Sequence, residues 1–306
     1  MPGSLPEDVC RNSTRSSQSC AVPVDTSWSL APGVLVALAG YGLVYGLRWR
    51  KARAEGGPRA ASGWRAAAWG AGLACLFVAL ISPVDVLGEQ LASAHMVQHL
   101  LVADLAPIFL TLGLTKWILR PVTRRIHRIE RAAGPFGHPA FGVVAYVGAM
   151  WFWHIPRFYD GALAHPGVHV LEHLSFAGAG LLYWWHLLSP IRSRLRLGGM
   201  GPVLYMASTK LLVGLLGILL AFSPDLIYDG YGTTGERWGL SRIDDLHVAG
   251  LLMALEQSLV MGVALVYLFV RMLSEADRED ERAESYEAAN GVAHRLADVV
   301  KASLSL

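Results

Sequence analysis

The sequence predicts an all-α protein: a polytopic integral membrane bundle of seven transmembrane helices, N-terminus outside and C-terminus cytoplasmic. Three observations lead there. Of 306 residues, 53% are hydrophobic and 16% charged, with a mean hydropathy of +0.39, which leaves little polar surface for a water-soluble chain of this size. The apolar residues gather into seven runs near the length of about 20 residues that crosses the hydrocarbon layer. Arginine and lysine then concentrate in alternate loops between those runs.

Taken in order, residues 1–27 are polar and lack a basic start followed by an apolar stretch, so no cleavable signal peptide is expected. They read as an extracytoplasmic, disordered tail in which Cys10 and Cys20 are free to oxidise to a disulfide. The first span, 28–47, runs from Trp28 to a loop holding Arg48, Arg50, Lys51, Arg53 and Arg59. The second, 64–82, carries Cys75 as a small apolar packing residue, and the third, 91–114, leads to Lys116, Arg120, Arg124, Arg125, Arg128 and Arg131. The fourth, 139–155, is the shortest. The fifth, 168–189, ends at a loop with Arg192, Arg194 and Arg196; the sixth and seventh cover 201–222 and 246–272.

The three basic loops are cytoplasmic by the positive-inside rule. Segments 83–90, 156–167 and 223–245 carry Asp85, Glu89, Asp160, Asp225, Asp229, Glu236, Asp244 and Asp245 against Arg157, Arg237 and Arg242, and face outside. Trp28, Trp64, Trp117, Trp184 and Trp185 lie near span ends, as aromatic belts do. The seven-helix domain thus covers 28–272, and 273–306 is a charged cytoplasmic tail, amphipathic or disordered. The net charge of +2 implies no nucleic-acid partner, and the three cysteines have no zinc-module spacing.

Depth sorts the eleven histidines. His95 and His99, His154, His169 and His173, and His247 all fall at the outer end, on spans three, four, five and seven. His165 sits in an outer loop; His127, His138 and His186 are on the cytoplasmic side and His294 is in the tail, where a lone ring is an ordinary interfacial residue. Spacing of four stacks His95 on His99 and His169 on His173, and Met150 relates to His154 in the same way. Polar side chains in a membrane helix turn to the bundle interior. Two inward imidazole pairs at one depth are costly unless something binds them. Imidazole suits copper, zinc and iron, and thioether sulfur from Met96 or Met150 favours reduced copper. Glu172, Asp85 or Glu89 could orient ring N–H groups. The weaker candidates are therefore Met96, Met150, Glu172 and His247.

Other patterns compete. His169 to His173 fits H-x-x-E-H, the inverted zinc-protease signature with Glu172 activating water, whereas His95 to His99 contains no acid. Haem held by one histidine from each pair is a further alternative. Asp104, Lys210 and Glu256 lie deeper, either as a structural pair of Lys210 with Asp104 or Glu256, or with Lys210 snorkelling towards the cytoplasm; Asp104 and Lys210 could alternatively form a polar path for copper import. Gly178, Gly180, Gly214 and Gly217 suit close helix packing.

Several blocks in order carry a resemblance. The residues Ser82-Pro83, Leu87-Gly88-Glu89, Ser93 to Leu101 (SAHMVQHLL) and Ala106-Pro107 resemble the CtaG family of cytochrome c oxidase assembly factors, the multi-span type associated with caa-type oxidases. Trp153-His154-Ile155-Pro156, Phe158-Tyr159-Asp160, His169 to Phe176 and Tyr183-Trp184-Trp185 resemble its next block, so the likeness covers most of 64–272. It implies a non-enzymatic protein of the bacterial plasma membrane that helps copper reach the catalytic subunit of a haem-copper oxidase. Its partners would be that subunit, other copper chaperones and membrane lipid. His95, His99, His154, His169 and His173 match the family's recurrent histidines, with Met96 beside them. The stretch Asp244-Asp245-Leu246-His247 departs from the family pattern of an acid followed by Gln.

Overall fold

Prolines set where many of the helices start, because a first-turn residue needs no N–H and proline's φ is already helical. The computed structural model describes residues 25–191, 197–231 and 239–304, and its regular elements are helices. Pro32 opens α1 (Pro32–Ala60), which kinks at Gly57, φ +64°, before Pro58. Next come α2 (Gly63–Ile81) and the short α3 (Pro83–Gly88). The third expected span is three pieces on one axis: α4 (Ala92–Leu100), a π-helical turn (Leu101–Leu105) and α5 (Ala106–Gly113). Two helices, α6 (Lys116–Leu119) and α7 (Thr123–Ala133), precede α8 (Pro139–Trp153). The remainder are α9 (Pro156–Ala164), α10 (Pro166–Leu188), α11 (Gly201–Ala221) and α12 (Arg242–Leu304).

A helix stands at each expected span. Among the described residues, four are long and apolar enough to cross a membrane: α2, the α4–α5 run, α11 and α12 over Arg242–Glu287; α8 is a shorter apolar helix. Gly and Tyr dilute the apolar run of α1, and His169, Glu172, His173 and His186 dilute that of α10. Large apolar side chains remain exposed along α11 and α12, among them Leu204, Leu211, Leu259 and Val263, as on a surface solvated by lipid.

The helices extend into several segments between the expected spans, and one aromatic expectation needs correction. The basic stretch after residue 47 continues α1, and the outer segments 83–90 and 156–167 contain α3 and α9. No break separates the seventh span from the charged tail, since the Glu-, Arg- and Ala-rich residues beyond 273 are good helix formers and stay helical to Leu304. Trp184 belongs to no belt: it is fully buried, and its Nε1 donates to Asp104 over 2.9 Å. Cys10, Cys20, Arg192, Arg194, Arg196, Glu236 and Arg237 lie outside the described residues.

The core places α10 at the centre, packed on α8, α9, α5 and the π turn, while α12 packs on α11 and α4. Gly180 permits this, because a Cβ there would run into the Ala103 carbonyl of the π turn. Gly217 and Gly250 likewise let α11 and α12 touch backbone to backbone, whereas Gly178 and Gly214 face open space.

Candidate metal centre

Local geometry makes the pairs and packing joins them. On α4 the His95 and His99 ring centroids are 4.2 Å apart, and on α10 those of His169 and His173 are 4.3 Å apart. Across the helix interface His95 lies 5.5 Å from His169, and His99 lies 5.7 Å from His173. His154, at the C-terminus of α8, completes the group 6.2 Å from His99. The structure therefore brings all five histidines to one place.

Glu172 stands at their centre. Its Oε2 is 3.6 Å from His95 Nε2 and its Oε1 is 3.5 Å from His99 Nε2, in a site where His95 and Glu172 have no solvent exposure. Donor atoms of His95, His169 and Glu172 fall within 4.8 Å of one another, as do those of His99, Glu172 and His173. Such gaps exceed ordinary hydrogen bonds but suit donors around one ion with bonds of about 2 Å.

The hydrogen-bond accounting points the same way. Nε2 of His95, His154, His169 and His173, both nitrogens of His99 and both carboxylate oxygens of Glu172 are buried without a hydrogen-bond partner. Buried polar atoms are normally satisfied, so this concentration of orphans marks a place that a cation could occupy. Two rings are already set to bind one. His95 Nδ1 lies 3.2 Å from the Gly88 carbonyl and His154 Nδ1 2.6 Å from the Met150 carbonyl. A carbonyl only accepts, so each Nδ1 carries the hydrogen and each Nε2 keeps its lone pair for the cluster.

An aromatic layer flanks the site. Tyr159 on α9 lies 5.2 Å from His95, stacks on Tyr228 at 3.8 Å and shares a 2.5 Å hydrogen bond with Tyr231; Tyr228 donates to the His154 carbonyl. Burial holds the Tyr159 hydroxyl well above the usual phenol range, so it stays neutral. Below, Phe176 packs 4.3 Å from His99.

The weaker candidates divide. Glu172 is central; Met96 and Met150 are buried beside the cluster, on a cavity shared with His99 and His154. His247 stands apart, its Nε2 donating to the Ser223 carbonyl over 2.9 Å. Asp85 does not orient a ring but accepts from Gln98 Nε2 at 2.7 Å. Burial, and then the neighbouring Asp85, push the Glu89 carboxyl up. The expected Lys210 pairing with Asp104 does not form: Lys210 is exposed on α11, and Asp104 accepts from Tyr146 and Trp184. His127 pairs with Glu130, His138 caps α8 and His186 lies between the Leu182 and Gly137 carbonyls.

Some contributors carry little signal in the sequence. Tyr228, Tyr231 and Met253, which lines the same cavity as Met96 and Met150, show nothing beyond aromatic or apolar character. Asp245 was visible only as a loop acid, yet it accepts from the backbone N–H groups of Ala92 and Ser93 and so caps α4 from α12.

The family model described as cytochrome c oxidase caa3 assembly factor matches residues 43–275, a range that includes the whole cluster. An uncharacterized protein of Mycobacterium leprae (strain TN) is 21% identical over 255 residues, a stretch covering 74% of this chain and 38% of that protein. The chain thus spans well under half the length of that relative. No solved structure matches.

Proposed function

The chain belongs to the family of cytochrome c oxidase caa3 assembly factors, and on that premise we propose that it binds copper as cargo at His95, His99, His154, His169 and His173 and supports its insertion into the catalytic subunit of a haem-copper oxidase. The observation that carries the reading is the set of buried, unbonded Nε2 atoms gathered around the unbonded carboxylate of Glu172. Neutral imidazoles and one carboxylate suit copper, and the thioethers of Met96 and Met150 beside them suit its reduced form.

A carrier must release what it binds. Five imidazoles and a carboxylate are more donors than reduced copper holds at once, so one ligand can exchange for another without exposing a bare ion. The role is non-catalytic. The helices form seven spans, with the N-terminus outside the plasma membrane, which puts the cluster at the extracytoplasmic end; the partners are the oxidase subunit and the copper chaperones that load this protein.

Copper loading of the purified chain tests the reading. His99→Ala and His173→Ala should each weaken binding by at least about tenfold. Undiminished binding in both would remove the site. The same sample's visible spectrum separates haem from copper, because a Soret band would mark axial haem ligation instead.

A further inference from the structure

Met96 on α4, Met150 on α8 and Met253 on α12 line a single cavity of about 380 Å³, together with His99 and His154. The three residues are 5%, 4% and 7% exposed. Methionine often serves as a flexible gap filler in a core. Here three methionines from separate helices line an open-sided cleft instead of closing on one another.

A second observation points to a ligand. His99, 3% exposed, has both ring nitrogens unbonded, and His154, 5% exposed, has Nε2 unbonded, and both residues line this cavity. His99 also belongs to the Glu172 group, so one ring borders both places. The donor sets differ in chemistry. The cluster around Glu172 offers imidazole and a hard carboxylate, whereas the cavity adds soft sulfur to imidazole; of the two carboxylates that also line it, Asp104 already accepts from Tyr146 and Trp184, and Glu256 lies on α12.

We propose that this cavity is a second metal site, a thioether–imidazole site for a soft monovalent ion of the copper(I) class, reached from the histidine cluster through His99. The inference rests on the copper-handling reading for its cargo. The ion keeps its charge throughout: a bond to imidazole nitrogen is exchanged for a bond to sulfur, with no electron transferred. Leu255 and Leu259, 64% and 72% exposed, form the rim on α12, so the cavity opens sideways towards the bilayer. A membrane-embedded acceptor could collect the ion there without its return to water.

Silver(I) is the probe, being monovalent, soft and not prone to oxidation. The parent chain in detergent should bind silver with sulfur neighbours visible by X-ray absorption. The variant combining Met96→Leu, Met150→Leu and Met253→Leu, near-isosteric changes, should lose at least about tenfold in silver affinity and all of the sulfur signal while still binding zinc at the histidines. A parent spectrum showing only nitrogen and oxygen neighbours would overturn the proposal, and that measurement stands even if the variant does not fold. Unchanged silver affinity in a folded variant would overturn it too. Zinc binding that is undiminished by His173→Ala would instead count against the histidine cluster and leave the silver result untouched.

Discussion

Glu172 combines complete burial with two carboxylate oxygens that lack hydrogen-bond partners, a combination that costs several kcal/mol for an ionised group unless a cation compensates it. Glu172→Gln keeps the shape and removes the charge. The metal-free variant should melt at or above the parent's temperature, because a buried carboxyl group without hydrogen-bond partners is replaced by a neutral amide of the same shape, while the rise in melting temperature on adding copper should shrink. A thermal-shift assay with and without copper reads both. A variant that melts lower without metal and keeps the full copper-induced rise would make Glu172 a structural residue. Spacing makes the pairs His95/His99 and His169/His173 legible in the sequence, because the i,i+4 relation is local. The central place of Glu172 is not legible, since it depends on how α4 and α10 face one another, and H-x-x-E-H draws attention to the residue for a different role.

At the scale of the element, α4 depends on a residue far along the chain. Leu91 at its N-cap offers no side-chain acceptor, and Asp245 of α12 supplies one: it accepts from Ala92 N at 2.7 Å, from Ser93 N at 3.2 Å and from Ser93 Oγ at 2.5 Å. Removing the carboxylate leaves the buried Ala92 N–H and the part-buried Ser93 donors unpaired at the positive end of the helix, at a cost of about 1–3 kcal/mol. Asp245→Ala should therefore lower the melting temperature and weaken copper binding, because His95 sits in the turn that Asp245 anchors. Asp244→Ala, at an exposed neighbour bonded to Ser241, should do neither. Equal effects in the two variants would remove the capping argument. The helices themselves are legible from apolar runs. The π turn is not, as it arises where Leu101–Leu105 meets α10 at Gly180 and the buried Asp104 meets Tyr146 and Trp184, contacts distant in sequence.

Across the whole molecule, the two ends of the bundle differ in chemistry. The histidines, Glu172, Asp85 and Asp245 gather at one end. At the other, Arg59, Arg65 and Lys116 line a wide cleft of about 870 Å³ with Trp64, Trp117 and Trp185, next to the arginine-rich α7. Basic residues resist transfer across the membrane during insertion, so the basic end should remain cytoplasmic and the histidine end should emerge outside. Cysteine labelling tests this in a background with Cys10, Cys20 and Cys75 replaced by serine. Asp229, exposed beyond α11, and Arg125, exposed on α7, are suitable positions for one new cysteine each. In intact spheroplasts a membrane-impermeant maleimide should label Asp229→Cys and spare Arg125→Cys until the membrane is opened. The reverse pattern would place the cluster in the cytoplasm, where copper released from it would emerge on the wrong side for the proposed extracytoplasmic delivery. The orientation and the proposed route of the cargo therefore stand or fall on the same labelling experiment.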